Sequence, residues 1–209
     1  EEEWKEKYDN FLKSDVAIEF STPETAILNL TQCFDAHIPV VCGTTGWHDK
    51  LNEVIKIAKE KNGSLIYGSN FSVGANLFFL LNEYAAELLD SQSQYDVAIE
   101  ETHHIRKKDA PSGTAITTAE TIISKLSRKK GWCLGEQRTS EQIVIEAYRE
   151  GDVIGTHRVI YSSAEDDIEI LHRAHNRLGF AKGAFLAAQW LAEHQGIYEF
   201  KDIFPQFLK

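Results

Sequence analysis

Twelve residues from His103 to Thr114, HHIRKKDAPSGT, concentrate side chains that can bind an anion and move a proton. His103, His104, Arg106, Lys107 and Lys108 place five potentially cationic groups within six residues of a protein whose formal net charge is −10. Such a local reversal of sign attracts an anion and raises its concentration at the loop. Mutual repulsion lowers the pKa values of the imidazoles and lysines, and a bound anion raises them again. A histidine poised near neutrality suits general acid–base catalysis, worth roughly 10²–10⁴-fold in rate. A lysine in the same cluster is a candidate second proton donor or a charge clamp.

Ala110-Pro111-Ser112-Gly113-Thr114 supplies the complement. Ser112 is a natural helix N-cap, and Gly113 lets a ligand approach the backbone closely. The N–H groups of the first helical turn then form a site for a carboxylate or phosphate. Asp109 is placed to hold the loop by pairing with a neighbouring cation. A basic run alone is ordinarily a solvated face, and a histidine pair alone is ordinarily packing. The order strand, His-His, basic run, APSGT, helix is what points to an enzyme site.

Metal chemistry is not expected. On an extended strand the adjacent His103 and His104 point to opposite sides, unlike the i, i+4 pair of a zinc helix. His172 and His175 have the same difficulty, and His157 reads as an ordinary strand residue.

The elements that must position these residues fall into two groups. Asp15–Phe20, Ile38–Cys42 and Leu65–Tyr67 read as short apolar strands, and helices between them start at Ser21-Thr22-Pro23 and carry Leu51, Val54, Ile55 and Ala58. That rhythm predicts a parallel sheet with ligands outside the carboxyl ends of its strands. Gly43-Thr44-Thr45-Gly46 and Gly68-Ser69-Asn70-Phe71 lie on that edge, suited to the ribose and nicotinamide of a cofactor. A helix over Val73 to Leu89 is apolar on most sides and is predicted to be buried. Asp96–Glu101 is the strand before the His-rich loop, and a helix runs from Ser112 to about Lys129. Gln142–Tyr148, Val153–Ser162 and Ile168–Ala174 read as an antiparallel meander, and Ala181–His194 as a closing helix.

Composition bounds the rest. A chain of 209 residues, 43% hydrophobic, can bury a core. The net negative charge argues against nucleic acid and anionic membranes. No transmembrane run and no signal peptide is seen. Cys33, Cys42 and Cys133 are odd in number and widely spaced, which predicts reduced thiols and a cytoplasmic setting.

Glu101–Ala115 (ETHHIRKKDAPSGTA), Val40–Trp47 (VVCGTTGW) and Ser69–Asn76 (SNFSVGAN) closely resemble three motifs of the dihydrodipicolinate reductase family, in order. The tail, GFAKGAFLAAQWL and GIYEFKDIF, resembles that family's carboxyl end. The resemblance implies NADH- or NADPH-dependent reduction of a cyclic unsaturated dicarboxylate in diaminopimelate and lysine biosynthesis. It implies His103 as acid–base and Lys107 as proton donor. It also implies a carboxylate cradle from His104, Gly113 and Thr114, beside the Ser112 cap. Gly43, Thr44, Thr45, Gly68, Ser69, Asn70 and Phe71 match cofactor contacts. Arg177 and Phe180 match hinge or cofactor neighbours.

The implied fold is a Rossmann-like α/β domain over residues 1–71 and 177–209. An α+β substrate and oligomerisation domain with a mainly antiparallel sheet spans residues 72–176, assembled as a homotetramer. One departure stands out. The family's opening strand, glycine-rich turn and helix have no counterpart in Glu1–Asp15, and the sequence contains no methionine. About a βαβ unit, some thirty or more residues, is therefore expected to be absent from this sequence. Two other readings stay open at this level: a different two-domain nicotinamide-dependent carboxylate reductase, or a non-catalytic dicarboxylate-binding fragment.

Overall fold

The structure, a computed structural model, describes residues 2–136 and 139–208. Glu1 and Lys209, the outer ends of the expected first domain, lie outside them. The chain divides into two compact units, residues 1–72 with 180–209, and residues 73–179. In chain order the elements begin with α1 (Glu2–Phe11), β1 (Ala17–Glu19), α2 (Pro23–Asp35), β2 (Val40–Cys42), α3 (Leu51–Glu60) and β3 (Leu65–Tyr67). There follow α4 (Val73–Leu89), β4 (Asp96–His103), α5 (Gly113–Ile123), β5 (Gly131–Leu134), β6 (Gln142–Arg149), β7 (Gly155–Ser162) and β8 (Asp167–Ala174). The chain closes with α6 (Leu178–Leu191), β9 (Ile197–Glu199) and α7 (Phe200–Ile203).

The first unit is a parallel sheet in the order β1-β2-β3-β9. Its strands are three residues each, with Val40, Val41, Cys42, Leu65 and Ile66 fully enclosed and Ile18 of β1 exposed. Ala26, Leu30 and Phe34 of α2 and Val54 and Ala58 of α3 pack on one face. Those residues recur at helical spacing, so burying them offsets the cost of ordering strands of only three residues. Pro23 opens α2 at a position where no N–H is needed. Gly183 of α6 permits a very close approach: a Cβ there would stand 1.6 Å from the Phe71 carbonyl oxygen. Helix and post-β3 loop therefore meet backbone to backbone.

The second unit is a five-stranded sheet in the order β5-β6-β4-β7-β8. β4 pairs antiparallel with β7, and β7 with β8, while β5, β6 and β4 run parallel. The predicted meander is thus interrupted, since β4 lies between β6 and β7. β4 alternates buried and partly buried residues along its length and is apolar enough to be central, which leaves β5 and β8 at the edges. Val97, Ile99, Ile143, Ile145, Val159 and Tyr161 point inward against Ala115, Ala119 and Ile122 of α5 and Phe78 and Phe79 of α4. The burial expected for α4 holds on one face only. Leu77, Leu81 and Leu88 are exposed, together with Val73 and Tyr84.

Candidate active site

The inward row of β4 changes character along the strand. Val97 and Ile99 feed the apolar core, and the next two residues of the same face are Glu101 and His103. The register brings matching changes on both neighbours. Ile99 lies opposite Val159 and Ile145, while Glu101 lies opposite His157 on β7 and His103 opposite Arg149 on β6. One end of the covered sheet is therefore a polar floor, and the N-terminus of α5 opens over it.

Glu101 organises that floor. It is 0% exposed, so its charge needs partners. Its Oε1 accepts from the Ser112 backbone N–H at 3.1 Å and from Arg149 Nη2 at 3.2 Å. Its Oε2 stands 3.1 Å from His103 Nδ1 and 3.8 Å from His157 Nε2. The Nδ1 contact is short but not aligned as a linear hydrogen bond, so it is electrostatic in character. Burial acts to raise the Glu101 pKa, but His103, the Ser112 amide and the histidine charges outweigh it and hold the carboxyl at about 2.

His157 is pushed the other way. Burial, then the charge of His103, lowers its pKa to about 3 against the opposing pull of Glu101, so it is neutral at physiological pH. Its Nε2 lies 3.2 Å from Ser112 Oγ, which also accepts from Ala115 N–H as the α5 cap. Gly155 keeps space beside His103, since a Cβ there would lie 3.1 Å from Nε2.

Arg149 also pins the basic loop. It donates from Nη2 to Asp109 O at 2.5 Å and from Nε to Lys107 O at 3.4 Å. Lys107 Nζ binds both carboxylate oxygens of Asp109 at 2.8 Å, the cation pairing expected of that aspartate. His104 leaves the strand on the other side. Desolvation, then Arg106, Arg177, His103 and Lys107, lowers its pKa, in the direction the repulsion argument predicts. Ser112 and Thr114 are buried at the opening turn of α5, whose first amides have no intrahelical acceptor.

The sequence reading missed Glu101, Arg149 and His157, the residues that tie this floor together. A signal existed for Glu101 and His157: each continues a buried alternation of apolar residues, where a polar side chain needs a partner. Glu101, His103 and His157 also bring ligand-type atoms within 4.8 Å of one another. Arg149 and the Ser112 amide already occupy one oxygen of that carboxylate, an arrangement for a proton rather than a second cation. An open groove of about 470 Å³ lies on the opposite face of the sheet, lined by Thr102, Thr156, Arg173 and His175 among others. It touches none of these groups.

The carboxyl edge of the parallel sheet forms a second constellation. Gly43 N–H donates to Glu19 O at 2.9 Å, and Thr44 Oγ1 accepts from Ser21 N–H at 2.7 Å. Trp47 Nε1 donates to Thr44 O at 2.7 Å, fixing the GTTG turn from below. Asn70 Oδ1 accepts from Ser72 N–H at 2.8 Å, so the GSNFS loop is closed on itself. Phe71 is buried and stacks on Phe200 with ring centroids 4.6 Å apart. Gly43 presents a bare face on which the exposed Phe20 ring lies, and a Cβ there would collide with that ring. Thr45 and Ser69 are half-buried on the same two loops.

A parallel sheet with glycine-bounded loops at its carboxyl edge, in a chain that also carries a buried proton-handling network, defines a nicotinamide-dependent oxidoreductase. Family models described as dihydrodipicolinate reductase, N-terminus, and dihydrodipicolinate reductase, C-terminus, match residues 2–71 and 74–204. The chain belongs to the dihydrodipicolinate reductase family. It is 47% identical over 200 residues to a 4-hydroxy-tetrahydrodipicolinate reductase of Christiangramia forsetii, covering 96% of this chain and 83% of that protein. A reductase of the same name from Neisseria gonorrhoeae is 36% identical, with 91% and 72% covered. A solved dipicolinate-bound dihydrodipicolinate reductase from Paenisporosarcina superposes with a TM-score of 0.70 at 26% identity, covering 95% of this chain and 77% of that one.

Proposed function

We propose that this chain reduces 4-hydroxy-tetrahydrodipicolinate, through dihydrodipicolinate, to tetrahydrodipicolinate with NADH or NADPH, in diaminopimelate and lysine biosynthesis. The observation that carries the proposal is the Glu101-anchored floor, which sets a histidine beside a capped helix N-terminus. A cyclic dicarboxylate needs both: positive potential for its two carboxylates and a donor for the proton that completes reduction. The solved relative's bound dipicolinate is a flat dicarboxylate of that kind.

The cofactor, when bound, supplies hydride. Gly43, Thr44, Thr45, Gly68, Ser69, Asn70 and Phe71 would hold its nicotinamide half, within a dinucleotide-binding domain of residues 1–71 and 177–209. Residues 72–176 bind substrate. The α5 cap of Ser112, Gly113 and Thr114 seats one carboxylate, and His104 adds a hydrogen-bonding group at the rim. His103 turns Nδ1 toward Glu101, leaving Nε2 as the atom that gives its proton to the reduced ring. Lys107, held by Asp109, is the second donor. The working form is a cytoplasmic homotetramer, supported by the broad outer face of the second sheet, where Tyr148 and Leu171 are exposed. No nucleic acid, membrane or metal takes part.

The test is turnover. Purified protein is mixed with NADH or NADPH and freshly prepared 4-hydroxy-tetrahydrodipicolinate, and cofactor oxidation is followed beside a panel of other carboxylates. Oxidation with this substrate supports the assignment, and turnover of another acid alone overturns it.

A further inference from the structure

The buried carboxylate of Glu101 belongs to none of the roles assigned above, yet it touches every part of the floor. We infer that Glu101 is the positioning residue of the reaction: it keeps the Nδ1 proton on His103 and ties that ring to the carboxylate cradle at the start of α5.

The geometry divides the labour between its two oxygens. Oε1 is spent on fixed donors, the Ser112 amide and Arg149. Oε2 faces the two imidazoles and has no aligned hydrogen bond of its own. A carboxylate 3.1 Å from Nδ1 favours the tautomer with its proton there. The remaining nitrogen, Nε2, is then the one that exchanges a proton with a ligand. Because the same carboxylate binds the amide of the α5 cap, the cradle and the proton donor are held in fixed register. Arg149 extends the register to the loop carbonyls of Lys107 and Asp109.

The charged surroundings of His103 support this division. From β6 it faces Arg149, from β7 the neutral His157, and from its own strand Glu101 and His104. The loop brings Lys107 already paired with Asp109, and β8 brings His172 behind His157. Glu101 is the anion nearest the ring.

The inference rests on His103 being the proton donor, and the experiment separates the two. In the full-length chain, Glu101→Gln keeps the shape of the side chain and can still accept from Ser112 and Arg149. It should lower kcat by about tenfold or more, within the range that acid–base groups contribute, with little change in KM. In ¹⁵N spectra the neutral His103 ring should carry its proton on Nδ1 in the wild type and should lose that preference in the folded variant. Should the variant fail to fold, ¹⁵N spectra of the wild-type protein decide the point, with the neutral His103 ring expected to carry its proton on Nδ1.

An unchanged kcat or an unchanged His103 tautomer in folded Glu101→Gln, or an Nε2–H tautomer in the wild type, overturns the inference. If His103→Gln is inactive while Glu101→Gln is unaffected, only the role of Glu101 fails. If His103→Gln keeps full activity, the proton-donor reading fails as well. Activity lost on chelation and restored by zinc would make this cluster a metal site and overturn the inference too.

Discussion

His103 Nδ1 lies 3.1 Å from Glu101 Oε2, and the two residues are successive members of the inward row of β4. A strand repeats every second residue, so this contact follows from the pleat and needs no loop to create it. The neighbouring strands complete it, with Arg149 opposite His103 and His157 opposite Glu101. Side chains on rigid strands lose little precision to loop motion, which suits a group that must meet a ligand atom.

The two cationic neighbours should separate in steady-state kinetics. Lys107→Ala removes the proposed second proton donor and should lower kcat by about tenfold or more. His104→Ala removes a group proposed to hydrogen-bond the substrate at the rim and should mainly raise KM, by about severalfold. Equal, small effects at both positions would mark the loop as a solvated basic face.

Acid should unfold the second unit in two overlapping steps. The His157 pKa is lowered from 6.5 to about 3, so its stabilising contribution is complete above pH 6.5 and is lost as pH falls toward 3. Glu101 is lowered from 4.5 to about 2, so its contribution is present above pH 4.5 and is lost on the way to 2. As an upper bound the latter is roughly 3 kcal/mol, less what coupling to the histidines shares. Melting temperature followed against pH should flatten in the upper range for His157→Gln and in the lower range for Glu101→Gln.

Gly155→Ala should weaken catalysis without unfolding the protein. The added Cβ would stand 3.1 Å from His103 Nε2, and the ring, held at Nδ1, has little room to give. A kcat lowered by about tenfold with an unchanged melting temperature is expected. Full activity would mean that the ring shifts freely.

Gly183→Ala should act on the first unit. Its Cβ would meet the Phe71 carbonyl oxygen at 1.6 Å, a backbone contact that no side-chain rotation relieves. Overpacking of this kind costs about 1–3 kcal/mol or more, and it displaces the loop assigned to the nicotinamide. A lower melting temperature together with weaker NADH and NADPH binding is the expected pair, measured by scanning calorimetry and titration.

Much of this was legible in the residues. Strand and helix alternation located β3 and α4 to the residue, because Gly68 and Ser72 punctuate strong apolar runs. Ser112 announced the α5 cap. What escaped was tertiary in origin. β5 and β9, of four and three residues, carry too little pattern to be seen alone. The insertion of β4 between β6 and β7 depends on which strand can be buried on both flanks, which local periodicity does not encode. Arg149 and His157 became site residues only through that insertion, since each meets Glu101 or His103 across a strand pair about fifty residues away in sequence. The exposed stripe on α4 shows the converse: Leu77, Leu81 and Leu88 look like core by type, yet only the Phe78 face has a sheet to pack on.

The most direct measurement is the rate of NADPH oxidation with 4-hydroxy-tetrahydrodipicolinate, compared between the intact protein and His103→Gln at saturating substrate. The account predicts turnover by the intact protein and a kcat lower by roughly 10²–10⁴-fold in the variant, with the fold retained. Equal rates, or no oxidation by the intact protein when both cofactor and substrate are bound, would contradict it.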